Sequence, residues 1–279
     1  MNVMTFTVAV GAGSVAAGFL GALTGLGGGV VLVPMLVLLF GVDIRYAIGA
    51  SLVSVIATSS GAAAAYVREG YSNVRVGMFL EIATTLGALS GAVVAARVPT
   101  SGLAIVFGSV LLYSAYLSGH RHDDHSSSEG PSDRWATLLR LDSTYPTPAG
   151  ERHYHVRGVP AGFGLMYVAG VLSGLLGIGS GAVKVLAMDQ AMRLPFKVST
   201  TTSNFMIGVT AAASAGVYLH RGYIDPGLAM PVVLGVLFGS MQGARVLASV
   251  PAHRLRFVFM WVIVALAAEM LFNGVTGRI

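Results

Sequence analysis

The chain has no cysteine, which excludes disulfides, thiolate metal sites and cysteine nucleophiles. It has little charge. Only 10% of its 279 residues are Asp, Glu, Lys or Arg, against about 25% in soluble domains, and none precedes Asp43. No phosphate-binding P-loop motif occurs, so no ATPase is built in. Every histidine (His120, His122, His125, His153, His155, His220, His253) falls at or outside the edge of an apolar window. That weakens a membrane hydrolase pairing a buried serine with a buried histidine, and equally a histidine-based metal transporter. The formal charge of +5 belongs to loops that set membrane orientation, not to nucleic-acid binding.

What remains is apolar. The composition is 54% hydrophobic with a mean hydropathy of +0.75. A bilayer core needs about 20 apolar residues per helix. Four long apolar windows lie in each half, at about 3–40, 46–67, 76–96 and 102–119, then 158–192, 198–219, 227–248 and 255–275. These windows predict an all-α polytopic membrane protein rather than a barrel, which would show short alternating segments. The expected surroundings are a lipid bilayer. The Met1 end, lacking a basic n-region, reads as the first membrane helix rather than a cleaved signal.

The windows repeat. Gly25-Leu-Gly-Gly-Gly29 recurs as Gly177-Ile-Gly-Ser-Gly181, Glu69-Gly-Tyr71 as Arg221-Gly-Tyr223, Gly87 as Gly239, Gly91-Ala92 as Gly243-Ala244 and Val98-Pro99 as Val250-Pro251. All share one offset of 152 residues. The expected organisation is a first transmembrane repeat at 1–119, a polar connector at 120–157 and a second repeat at 158–279. Each repeat should hold about four to five helical segments. Within the connector, Pro146-Thr-Pro-Ala-Gly150 reads as a turn and Arg152-His-Tyr-His-Val156 alternates like a strand, which predicts a small β-hairpin. Windows 1 and 5 overrun a core of about 30 Å, and glycine clusters interrupt them. Each is therefore a broken helix or a helix pair. A single crossing per window makes the copies parallel, and a helix pair makes them inverted. The inverted arrangement is the recurrent transporter solution.

A break at membrane depth exposes backbone that must line a cavity or be buried in protein, and N–H groups at a half-helix start attract anions. Gly27, Gly28, Gly29, Gly179, Ser180 and Gly181 are thus substrate candidates, whereas the GxxxG patterns at 87–91 and 239–243 suit helix packing. Lys184 stands where the first copy has Leu32. An intramembrane lysine is a functional candidate by default, and one turn after a break it completes an anion site. The polar run Ser199–Asn204 has Gly49–Ser54 as its counterpart. Thr201 and Asn204 share a helix face, as do Ser51 and Ser54, giving two neutral donor sets expected to face each other across a pocket. Gln242 and Arg245 share a face of window 7. Glu81 and Glu269 lie inside windows 3 and 8, where either could relay protons or pair with a cation.

Gly25-Leu-Gly-Gly-Gly-Val-Val-Leu-Val-Pro34 resembles the GxGGG…VP signature of the sulfite exporter TauE/SafE family. Ser173–Gly181 and Lys197–Gly208 are similar to that family's second repeat, with Ser180 departing from its usual third glycine. The resemblance implies an inner-membrane exporter of small sulfur-containing anions, sulfite or organosulfonates such as sulfoacetate; no cofactor, no resident metal and no enzymatic activity are expected. The alternative is a cation or divalent-metal transporter using Glu81, Glu269 and the His120–His125 cluster. A membrane-embedded enzyme is the third reading. The GxxxG surfaces alone point to a homodimer.

Overall fold

The computed structural model describes residues 2–24, 28–68, 71–119, 133–147, 150–247 and 252–278. Eleven helices occur among them. The first copy holds α1 (Val3–Thr24), α2 (Gly29–Leu38), α3 (Ile44–Arg68), α4 (Val74–Ala95) and α5 (Thr100–Gly119). A short helix α6 (Arg134–Leu138) and two strands, β1 (Ser143–Thr147) and β2 (Gly150–Tyr154), follow. The second copy holds α7 (Val159–Leu176), α8 (Gly181–Leu186) running into a π-helical turn Ala187–Ala191, α9 (Phe196–His220), α10 (Pro226–Leu247) and α11 (Ala252–Thr276). Each long window that overran the bilayer is therefore two helices.

Local chemistry repeats along with the bounds. Asn73 Oδ1 accepts the Val76 N–H at 3.1 Å at the start of α4, and Asp225 Oδ1 accepts the Gly227 N–H at 3.1 Å at the start of α10. Both satisfy donors that a helix start leaves open. Four helices, α1, α4, α7 and α10, contain apolar stretches long enough to cross a membrane. Met78, Ile82, Leu86 and Leu89 on α4 are exposed, and so are Met230, Leu234, Phe238 and Met241 at the same offset on α10. A face of large apolar side chains turned outward in both copies is what a bilayer, not water, stabilises.

Helix directions follow from the contacts. α2 doubles back along α1, with Gly13 against Met35 and the Phe6 ring edge-on to Phe40 at 6.0 Å. α3 runs antiparallel to its counterpart α9, Gly49 meeting Tyr223 near one end and Ser59 meeting Gly208 midway. α5 and its counterpart α11 are also antiparallel, with Gly108 against Ala267 and Gly274 against Ser101. α1 lies parallel to α10 and α4 parallel to α7. In those two pairs the small residues let backbones touch, as in other membrane bundles. A Cβ on Gly87 or Gly91 would overlap the carbonyl oxygen of Tyr167 or Val171, and one on Gly239 that of Val15.

The connector contains the expected hairpin, antiparallel with Ser143 opposite Tyr154 and Thr147 opposite Gly150. Its first part, including His120, His122 and His125, lies outside the described residues. The rest is docked. Tyr154 is buried, and its hydroxyl accepts a 2.7 Å bond from Asn73 Nδ2. Burial pushes that phenol up to about 12. Leu141, Ala136 and Val156 pack with Val76 and Leu80 of α4 and with Met188 and Met192. The hairpin thus covers the end of the α4–α7 pair.

Gly91→Ala should lower apparent stability by about 2 kcal/mol, the usual cost of overpacking. Gly164→Ala, with nothing within 4 Å of the added atom, should leave it unchanged or slightly higher. Thermal unfolding in detergent checks both.

Candidate functional site

Two helix breaks meet inside the bundle. α7 ends as Gly177 takes the left-handed conformation at φ +68°, which glycine reaches without a Cβ penalty. Ser180, at the start of α8, is also left-handed at φ +46°, a state costing a non-glycine residue about 1–3 kcal/mol. Its hydroxyl is buried and has no hydrogen-bond partner among the described residues. From the other copy, Gly29 opens α2 against this segment. A Cβ on Gly29 would lie 2.6 Å from Ser51 Oγ and 3.1 Å from the Gly177 oxygen. Gly28 is buried against Val236 of α10, while Gly27 lies outside the described residues. Gly179 and Gly181 both pack on Ile207 of α9.

Serines close the second break. Ser51 Oγ donates to the Gly177 carbonyl at 2.8 Å, and Ser54 Oγ to the Ser51 carbonyl at 2.8 Å. Ser203 Oγ donates to the Gly181 carbonyl at 3.3 Å. This corrects the expected donor sets. At the offset of 152, Ser51 corresponds to Ser203 rather than to Thr201 or Asn204. Thr201 Oγ1 lies 3.0 Å from the Tyr71 carbonyl and also reaches carbonyls of its own helix, so it ties α9 to the turn before α4. Asn204 is half-buried on α9. Hydroxyls at membrane depth have backbone carbonyls to satisfy, and Ser51, Ser54 and Thr201 all do so. Gln242 is half-buried on α10, and the side chain of Arg245 lies outside the described residues.

Lys184 is fully enclosed, at 0% exposure. Its Nζ donates to Thr210 Oγ1 of α9 at 2.5 Å, and Thr210 Oγ1 donates to Glu81 Oε1 of α4 at 2.7 Å. Thr85 Oγ1 adds a 3.2 Å bond to the same carboxylate oxygen. Lysine and glutamate, which sequence treated as separate candidates, thus form one relay bridged by a threonine that sequence reasoning missed. Glu269, by contrast, is exposed on α11. Among the described residues no group of three or more His, Asp or Glu could hold a metal ion.

Two cation–aromatic pairs flank the α3–α9 contact. The Arg45 guanidinium lies 5.8 Å from the Tyr223 ring centre, and Lys197 Nζ 3.7 Å from that of Tyr71. The offset of 152 carries Arg45 onto Lys197 and Tyr71 onto Tyr223, so each cation rests on the other copy's tyrosine. Because the helices are antiparallel, the pairs sit at opposite ends. That signal was available in the sequence once the offset was known.

Residues 10–270 match the family described as sulfite exporter TauE/SafE. Among curated proteins, the probable membrane transporter protein YunE of Bacillus subtilis (strain 168) is 27% identical, over 98% of this chain and 99% of its own length. The probable membrane transporter protein YdhB of the same organism is 28% identical, over 82% and 83%. A probable membrane transporter protein of Xylella fastidiosa (strain 9a5c) is 25% identical, over 98% of each chain. No solved structure matches the chain with significance.

Removing one member of a buried charge pair leaves the other uncompensated, at about 3–5 kcal/mol. Lys184→Met and Glu81→Gln should each lower the melting midpoint sharply, and the double variant should lose less than the sum of the two. Additive losses would contradict the relay.

Proposed function

The chain belongs to the sulfite exporter TauE/SafE family, and on that premise we propose that it is a secondary-active exporter of small sulfur-containing anions in the cell inner membrane. Sulfite and organosulfonates such as sulfoacetate are the substrates this reading favours. The observation that carries it is Ser180, a buried hydroxyl without a partner among the described residues, held in a strained backbone at the second break. Strain of this kind persists where surrounding structure over-determines it, and it gathers at ligand sites. Lys184 follows one turn later on α8. A sulfonate or sulfite spreads its charge over three oxygens. Neutral donors beside one ammonium hold such an ion without the tight binding that would prevent release.

Transport in this reading is alternating access, with substrate at the breaks and the two copies arranged as inverted repeats. The antiparallel run of α3 against α9 and of α5 against α11 supports that arrangement, which recurs among secondary transporters. The Arg45–Tyr223 and Lys197–Tyr71 pairs then act as two closures, one toward each side. A cation–aromatic contact contributes about 0.5–2 kcal/mol, enough to bias a gate and little enough to release it. The chain is a carrier rather than an enzyme in this account, and the bilayer is its one obligate environment.

A ligand that binds only the folded state stabilises it by RT ln(1 + [L]/Kd), about 2.7 kcal/mol at 100 Kd. Thermal unfolding against sulfite, thiosulfate, sulfate, sulfoacetate, taurine and chloride should show a selective shift with sulfite or a sulfonate. Ser180→Gly should raise the melting midpoint of the ligand-free protein by relieving about 1 kcal/mol of backbone strain, while shrinking the anion-induced shift. A shift with divalent cations and none with any anion would overturn the anion site in favour of a cation carrier centred on Glu81.

A further inference from the structure

Lys184, Thr210 and Glu81 come from three different elements, α8, α9 and α4, and the Thr85 and Thr84 hydroxyls lie beside the carboxylate on α4. Thr210 has a single hydroxyl proton. With Lys184 donating to its oxygen, that proton has two acceptors in reach, the Met206 carbonyl at 2.9 Å and Glu81 Oε1 at 2.7 Å, and the shorter bond to the carboxylate makes the row ammonium, hydroxyl, carboxylate. The charges sum to zero. Glu81 Oε1 accepts from Thr210 and Thr85, whereas Oε2 is buried and has no partner among the described residues.

We propose that binding of an anion at Lys184 is accompanied by uptake of a proton at Glu81 Oε2. The inference rests on the anion site described under the proposed function. An anion that engages Lys184 brings a second negative charge to an interior holding one ammonium. An uncompensated buried charge is strongly disfavoured, and a proton from solution turns the Glu81 carboxylate into a neutral carboxyl. The sum returns to zero: one O–H bond forms at Glu81 and one breaks in the buffer acid that supplies the proton, which is left as its conjugate base. Oε2 is the oxygen free to receive the proton. The loaded site then moves without net charge, so flux follows the anion and proton gradients rather than the voltage.

The titratable and charged groups on the neighbouring elements are otherwise engaged or lie at their ends. On α7, the Tyr167 hydroxyl is bonded to Ser90 Oγ. On α9, Lys197 lies over Tyr71, the Tyr218 hydroxyl donates to the Gly174 carbonyl and His220 is exposed at the last turn. Asp189 on the π-helical turn has interactions of its own. Arg75, at the start of α4, donates to the Arg140 carbonyl.

Isothermal titration of the detergent-purified protein with methanesulfonate, and separately with sulfoacetate, tests this in buffers of equal pH and different ionisation heats. The binding heat of the wild type should vary linearly with buffer ionisation heat, with a slope of about one proton per anion. Glu81→Gln, assayed well below its lowered melting midpoint, should bind with a slope near zero. Wild-type heats that are the same in every buffer overturn the proposal while leaving the anion site standing. A full slope retained in Glu81→Gln also overturns it, since the proton then goes elsewhere. No heat with either probe removes the anion site and this inference with it.

Discussion

A helix broken at membrane depth leaves backbone groups that lipid cannot satisfy, and the rest of this structure answers that constraint. The carbonyl of Gly177, left at the end of α7, is met by Ser51 of α3. The carbonyl of Gly181, at the start of α8, is met by Ser203 of α9. These serines are counterparts at the offset of 152. The first bond joins the two copies and fixes α3 against the second break. Glycine at position 29 is then required for space, because Ser51 and the Gly177 carbonyl occupy the volume a side chain would need. The same principle governs the α1–α10 and α4–α7 pairs, where backbones touch and the outward faces carry the large apolar residues.

A symmetric scaffold carries an asymmetric site. The counterparts of Lys184, Glu81 and Ser180 are Leu32, Val233 and Gly28. Thr210 has a threonine as its counterpart, Thr58, but among the described residues that hydroxyl reaches carbonyls of its own helix, at Ser54 and Val55. Each charge therefore stands in one copy without a counterpart in the other, the carboxylate in the first and the ammonium in the second. The offset of 152 pairs the helices, the serines at 51 and 203 and the two cation–aromatic contacts, whereas the ammonium and the carboxylate are each unpaired by it. An ammonium at 0% exposure needs a buried partner, and the relay through Thr210 to Glu81 supplies it.

Much of the architecture was legible because membrane folds write themselves in hydropathy. The apolar windows gave the class, the offset gave the repeat, and Pro146 through Gly150 marked the hairpin. The length of windows 1 and 5 and their glycines required a break, but the choice between a bent helix and a doubled-back pair depended on contacts such as Phe6 with Phe40. The site was less legible. Lys184 and the glycine clusters stood out by chemistry, yet the lysine's direction did not, since its partners lie 26 residues away at Thr210 and, through it, a further 129 at Glu81. Residues so distant leave no local pattern. The polar run at 199–204 misled for a related reason. A hydroxyl in sequence reads as a donor to a ligand, whereas inside a bilayer a carbonyl usually claims it first.

Side-specific cysteine labelling tests the central claim, a single site at the breaks opened alternately to the two sides, and the cysteine-free chain suits it. A cysteine introduced at Ser51 reports access to the breaks. Arg45→Ala releases one closure and Lys197→Ala the other, in vesicles probed by a membrane-impermeant thiol reagent from each face. The account predicts faster labelling from one face in the first variant and from the opposite face in the second. Faster labelling from the same face in both, or from neither, would contradict it.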